Sequence, residues 1–348
     1  MKSLKLYDKR DLRFEKAPPP SIIKPNDVII EVKAAGICGS DISRYKKLGP
    51  YVPGMIWGHE FSGVVAEIGS DVTHVSIGDN VVGCPALYCG VCESCQSGEP
   101  ARCKTLEVMG AKQPGAFASY TKLPEENVIP IPDNVDFDSA ALVEPSAVAL
   151  HGVYKTSMKP GDAVAVLGCG NIGLLTIQWA KLFGADTVYA IDIDEQKLEL
   201  AKAVGADVLV NPAQSSIYEQ LMEVTDNKGV DIAIEAAGTP LTSAHIFSLA
   251  KKGGEVVFMG IPYADIEIER FYFEKIVRNE LGVYGAWNAI SAPFPGKEWT
   301  ATLTKLSTGE LDAKSIISHR LSLEEGPSTF EAIIENQDFF SKVLLYPH

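Results

Sequence analysis

The chain has 348 residues, with 31 Lys and Arg against 45 Asp and Glu, giving a formal net charge of −14. Hydrophobic residues make up 46% and charged residues 22%, a globular balance at a length of about two domains. The acidic surface excludes nucleic acid as the main partner, and no apolar run approaches the ~20 residues of a membrane span.

The amino terminus, Met1-Lys-Ser-Leu-Lys-Leu-Tyr-Asp-Lys-Arg10, carries charge where a signal peptide needs an apolar core, so the expectation is a soluble, cytoplasmic protein. Short strands separated by Gly and Pro are predicted at 28–33, 61–68, 80–82 and 117–123, the punctuation of a compact, largely antiparallel β domain. Within it, five of the seven cysteines fall between Cys84 and Cys103. Without an export signal a metal site is the better reading than a disulfide framework. Cys89-Gly-Val-Cys92-Glu-Ser-Cys95 followed by Cys103 gives C-x2-C-x2-C-x7-C. Four thiolates on one short loop enclose zinc tetrahedrally and leave no open position, so the site would be structural. An iron–sulfur cluster uses the same ligand type, but the last interval is unlike the bacterial ferredoxin run. Cys84 reads as a buried structural residue.

The character changes near Pro160-Gly161-Asp162. From there predicted strands at 163–167, 187–191, 208–210, 230–234 and 256–259 alternate with helices at 172–183 and 195–204, which implies a parallel sheet with covering helices. Ala180-Lys-Leu-Phe-Gly-Ala-Asp186 and Ala201-Lys-Ala-Val-Gly-Ala-Asp207 each close a helix with Gly and then enter a strand. After Tyr284 the chain is irregular, then helical near 299–306 and 324–335, and this tail is expected to return to the first domain.

Gly168-Cys-Gly170-Asn-Ile-Gly173 follows a predicted strand and opens a helix. In that context the first Gly makes the tight turn, the second lets backbone approach a pyrophosphate, and the third lets helix and strand pack closely. Asn171 and Ile172 then lie at the helix start, where unpaired N–H groups favour negative charge. Asp192, at the end of the next strand, would accept hydrogen bonds from the adenosine ribose and repel a 2′-phosphate; Ile193 follows it, so NAD is expected rather than NADP. Cys169 reads as a small packed residue.

A catalytic zinc wants about three protein ligands and an open position. Cys38 in Ile37-Cys-Gly-Ser-Asp41, His59 in Trp57-Gly-His-Glu-Phe61 and a carboxylate in Val143-Glu-Pro145 would supply them, although spacing alone does not join groups so far apart. Taken together, Gly36-Ile-Cys-Gly-Ser-Asp41, Gly58-His-Glu-Phe-Ser-Gly63, the four-cysteine loop, Glu144-Pro145 and the glycine fingerprint resemble the zinc-containing medium-chain dehydrogenases of the sorbitol/polyol branch. The likeness covers nearly the whole chain. Through Gly173-Leu-Leu-Thr-Ile-Gln178 and Gly285-Ala-Trp-Asn288 … Pro293-Phe-Pro-Gly-Lys-Glu-Trp299 it extends to the galactitol-1-phosphate 5-dehydrogenases.

The resemblance implies an α/β protein with a GroES-like, β-rich catalytic domain at 1–145, its structural-zinc loop at 84–103, a Rossmann doubly wound parallel-sheet domain at 146–284, and a segment 285–348 that completes the first domain. It implies two zinc ions per chain. Cys38, His59 and Glu144 would bind the catalytic one, with Glu60 a reserve ligand or neighbouring group, and Ser40 would pass on the alcohol proton. Lys197 matches a position near the adenosine ribose, and Lys342 one near the pyrophosphate. His151 reads as a packing residue.

The expected activity is hydride transfer to NAD from a polyol phosphate, galactitol 1-phosphate or a relative, giving a ketose phosphate. Arg44, followed by Lys46 and Lys47, would hold the phosphate; Trp287, Asn288 and Lys297 are further pocket candidates through the resemblance. Two other readings stand beside it: a dehydrogenase of unphosphorylated polyols such as sorbitol or xylitol, and a nucleotide-binding sensor with only the structural zinc. A homodimer or homotetramer is implied, with no membrane or nucleic-acid partner.

Overall fold

A computed structural model describes residues 1–213 and 215–348, which divide into two compact units. The first comprises Met1–Glu144, Ala289–Gly309 and Ile317–His348. Its main sheet runs, in spatial order, Val128–Pro130, Asn80–Gly83, Glu60–Ile68, Asp27–Gly36, Lys342–Tyr346 and Ile317–Ser322, with Tyr120–Pro124 also paired to Asp27–Gly36. All these pairs are antiparallel except the last two strands, which are parallel.

Asp27–Gly36 is the hub, and Val28, Ile30, Val32 and Ala35 are buried on it with Phe61, Val65, Leu123, Val343 and Leu345. The same core takes in Leu4, Leu6, Trp57, Phe117 and Phe330. An amino-terminal hairpin, Lys2–Asp8 with Asp11–Lys16, adds a small sheet that the predicted strands had left out. Its first strand alternates Leu4 and Leu6 inward between polar residues, a short period-2 signal. The strand expected at 117–123 begins at Tyr120, because Ala116 and Phe117 instead bond to Gly58 and Trp57 in the loop before His59.

The second unit comprises Pro145–Asn288 and Glu310–Ile316. Its six strands lie in the order Val208–Val210, Thr187–Ile191, Ala163–Leu167, Val230–Glu235, Ala250–Phe258 and Gly282–Gly285, all parallel. That is the doubly wound order 3-2-1-4-5-6, and it reverses between Ala163–Leu167 and Val230–Glu235, where open parallel sheets bind ligands. The central strands are buried runs of Val, Ile, Ala and Leu, as a sheet covered on both faces requires. Gly184 and Gly205, at φ +87° and +115°, end the Asn171–Leu182 and Glu195–Ala203 helices in a backbone region that suits glycine. The helix Arg270–Arg278 was not anticipated, although Phe273, Ile276 and Val277 stand at helical spacing in it; none of its residues is buried. Among the described residues no helix is long and apolar enough to cross a membrane.

Candidate active site and metal centres

Strand register builds the first centre. Gly36 pairs with Glu60 across the Asp27–Gly36 and Glu60–Ile68 strands, so Cys38, just past one strand, meets His59, just before the other. Cys38 Sγ, a ring nitrogen of His59 and a carboxylate oxygen of Glu60 all lie within 4.8 Å of one another. The neighbouring strand brings in Lys342, since Leu344 pairs with Gly36. The Lys342 ammonium is fully buried, donates to Ile37 O at 3.1 Å and is ion-paired with Glu60. It thereby ties the segment before Cys38 to the residue after His59. A side chain at position 36 would collide with the Glu60 carboxylate and crowd Lys342, which is why glycine stands there.

Asp41 makes a second tie. Its carboxylate accepts the Cys38 N–H at 3.0 Å and lies 3.8 Å from His59 Nδ1. Burial raises the Asp41 carboxyl, with His59 opposing. Burial would lower His59, but the charges of Asp41, Cys38 and Glu144 hold it well above its ordinary value. Glu144 lies outside the close triad, yet its charge acts on His59; burial raises its carboxyl to about 7, against His59, with Glu60 adding to the rise. Three carboxyls and a thiol thus converge on one histidine and one lysine. The donor set is mixed S, N and O with surplus negative charge, which suits a divalent zinc-type ion. Ser40 is exposed in the short helix that follows Cys38.

The second centre is the four-cysteine loop. Cys89, Cys92, Cys95 and Cys103 bring their sulfurs within 4.8 Å of one another, with Cys92–Cys95 and Cys103–Cys89 at 3.5 Å and Cys89–Cys95 at 4.0 Å. Zinc–sulfur bonds of about 2.3 Å in a tetrahedron give edges of about 3.8 Å. No disulfide links these residues. N–H groups of Val91 and Cys92 bring Cys89 down to about 6, the thiolate form that zinc requires. Cys84 is buried, and burial pushes its thiol far up, as suits an inert residue.

In the second unit the fingerprint lies between Ala163–Leu167 and Asn171–Leu182. Gly168, at φ +94°, backs onto Ala237, whose nitrogen would be 2.6 Å from a Cβ at 168. A side chain at Gly173 would strike the Gly168 carbonyl, whereas one at Gly170 would meet nothing within 4 Å. The open side of Gly170, and a 12-residue helix whose amino end has no side-chain cap, fit a pyrophosphate. Asn171 Oδ1 is buried without a hydrogen-bond partner among the described residues. Asp192 accepts the Cys169 N–H at 2.8 Å on one oxygen and the Asp194 N–H at 3.0 Å on the other. Each oxygen retains a lone pair for ribose hydroxyls. Lys197 stands in the first turn of Glu195–Ala203, close enough for its charge to act on Cys169. Burial pushes the Cys169 thiol up to about 12.

Residues 24–133 match the alcohol dehydrogenase GroES-like domain family, and residues 171–305 the zinc-binding dehydrogenase family. A sorbitol dehydrogenase of Bacillus subtilis is 32% identical over 100% of this chain and 98% of its own. The chain belongs to the zinc-binding alcohol dehydrogenase family. A galactitol 1-phosphate 5-dehydrogenase of Escherichia coli is also 32% identical, over 97% of each chain. The crystal structure of galactitol-1-phosphate dehydrogenase from Escherichia coli superposes with a TM-score of 0.95 at 32% identity, covering 100% of both chains.

This dehydrogenase departs from the sequence expectations at Lys342, which is buried against Glu60 and Ile37 in the first unit rather than free for a pyrophosphate. The reason is its register beside the hub strand, which nothing local in Lys-Val-Leu-Leu-Tyr announces. Arg44 stacks on Tyr51, with its guanidinium carbon 3.3 Å from the ring centroid, and donates to Gly49 O at 3.1 Å. Lys46 and Lys47 follow it in the same exposed turn. Trp287 is 55% exposed. Asn288 adopts φ +46° and buries an amide nitrogen without a partner among the described residues. Asp41 carried no role in the sequence reading; its place three residues after Cys38 was the available signal.

Proposed function

We propose that this dehydrogenase oxidises a polyol phosphate, galactitol 1-phosphate or a relative, to a ketose phosphate, with NAD as cofactor. The observation that carries the reading is the convergence of Cys38 and His59 with Glu60 and Glu144 beside the exposed Ser40. Cys38, His59 and Glu144 would hold the catalytic zinc; Glu60 already has its cation in Lys342, so Glu144 is the carboxylate left for the metal. Bound there, zinc supplies a Lewis acid for the substrate hydroxyl and NAD accepts the hydride.

Asp41 steadies His59 and the Cys38 backbone, and Ser40 takes the hydroxyl proton outward. Asp192 would hold the adenosine ribose and Lys197 would lie near it. Asn171 and Ile172, with Gly168, Gly170 and Gly173, would frame the pyrophosphate. Arg44 uses one of its N–H donors on Gly49 and offers the others to a phosphate, stiffened by its stack on Tyr51. Trp287 and Asn288 complete the proposed substrate contacts. The sorbitol dehydrogenase relative supports the alternative of an unphosphorylated polyol.

NADH formation with galactitol 1-phosphate, galactitol and sorbitol, with and without a zinc chelator, tests the reading. Chelator-sensitive turnover with the phosphate alone is expected; turnover with free polyols alone would remove the phosphate pocket and keep the chemistry. Zinc analysis of Glu144→Gln and Glu60→Gln separates the two carboxyls, with loss of one ion expected only for the first. Assembly as a homodimer or homotetramer belongs to the same reading. The exposed edge strand Gly282–Gly285 and exposed Phe271, Phe273 and Val277 support it, and light scattering checks it.

A further inference from the structure

Glu235 is a buried acid that neither the glycine fingerprint nor the metal centres account for. It ends the Val230–Glu235 strand and pairs with Leu167, the residue before Gly168, so it stands where the strand order reverses. Its Oε1 accepts the N–H of Ala237 at 3.1 Å, the N–H of Gly238 at 2.9 Å and the Thr242 hydroxyl at 2.6 Å. Its backbone carbonyl accepts the N–H of Met259 at 2.9 Å and of Gly260 at 3.1 Å. Oε2 has no hydrogen-bond partner among the described residues and packs where a side chain at Gly260 would stand. Ala236 N–H bonds to Leu167 O at 2.8 Å, and Ala237 lies under Gly168.

The backbone at 235–236 thus links the ends of three neighbouring strands, while the Glu235 carboxylate holds the turn that follows it. Serine or asparagine would cap the turn without burying a carboxyl, and burial does raise this one against its ordinary ionised state. A costly group kept at the binding edge of the sheet points to a demand on geometry there. The doubly wound fold consists of two mononucleotide-binding halves. Asp192, just past the Thr187–Ile191 strand, marks the adenosine half; Glu235 ends one strand of the other, and Gly260 follows the end of the next.

We propose that Glu235 is a positioning residue for the nicotinamide half of the cofactor, its carboxylate fixing the turn at 236–239 and packing beside Gly260, where that half rests. This rests on the NAD reading above. The test compares NADH and AMP binding to the full-length protein for wild type, Glu235→Ala, Glu235→Gln and Thr242→Val. For Glu235→Ala the NADH dissociation constant should rise about 10-fold or more, as losing three turn hydrogen bonds implies, while AMP binding stays within about 2-fold. Glu235→Gln keeps the accepting oxygen and should restore NADH binding to within about 3-fold of wild type.

Thr242→Val, at a partly exposed site, should weaken NADH alone by about 3-fold and serves if Glu235→Ala does not fold. Parallel weakening of NADH and AMP, or a lowered melting temperature with NADH binding intact, would overturn the proposal. Wild type that binds AMP but no NADH would overturn the cofactor reading itself, and this inference with it.

Discussion

The four-cysteine loop and the Cys38–His59–Glu60 group lie in the same unit, yet only the first is written in one short stretch of chain. Cys89 to Cys103 supply four like donors, closed on themselves. The other group draws on residues 38, 41, 59, 60, 144 and 342, mixes thiol, imidazole and carboxyl donors, and has the exposed Ser40 at its edge. Identical soft donors with no open position suit a structural ion; mixed donors with surplus charge suit an ion with room for a substrate. Both are held by backbone. In the loop, N–H groups point at sulfur; at the Cys38–His59–Glu60 group, strand register aligns the ends that carry Cys38 and His59.

The contrast breaks hardest at Cys38. Cys38→Ala should lower kcat/KM by about 10³-fold or more, the several kcal/mol of a lost Lewis acid, while metal analysis falls from two zinc ions to one and circular dichroism is unchanged. Next comes Lys342→Met, which leaves Glu60 buried without its cation. Unfolding in denaturant should show a loss of about 3–5 kcal/mol, and a variant as stable as wild type would refute the stitching role.

Cys95→Ser should also leave one zinc per chain. Here the midpoint of thermal unfolding should fall by about 2–8 °C, and protease should cut within 84–103, while the folded fraction loses far less turnover than Cys38→Ala. The smallest effect sharpens the substrate side: Arg44→Ala should reduce kcat/KM for the phosphorylated polyol by about 10-fold and leave NADH binding unchanged. Unchanged efficiency on the phosphate would sink that contact.

Much was legible locally. The glycine fingerprint, the acid at 192 and the cysteine spacing are each contained within a few turns or strands, so periodicity and punctuation exposed them. The hairpin Lys2–Asp8 with Asp11–Lys16 was not, because its signal is short, whereas the helix Arg270–Arg278 did carry one, with Phe273, Ile276 and Val277 at helical spacing. Asp41 was visible as part of a motif but silent as to role. Lys342 pointed elsewhere, since a lysine at the head of an apolar strand says nothing about which carboxylate it will meet.

By itself the sequence determined the local devices: a tight turn at Gly168, a helix that opens straight after the glycine turn, and four thiols able to reach one ion. Only the tertiary structure decided which distant groups share a site. Gly36 opposite Glu60, Leu344 opposite Gly36 and Glu235 opposite Leu167 are choices of strand register. Register is set by burying one face of each strand in a common core, a condition that no single segment contains.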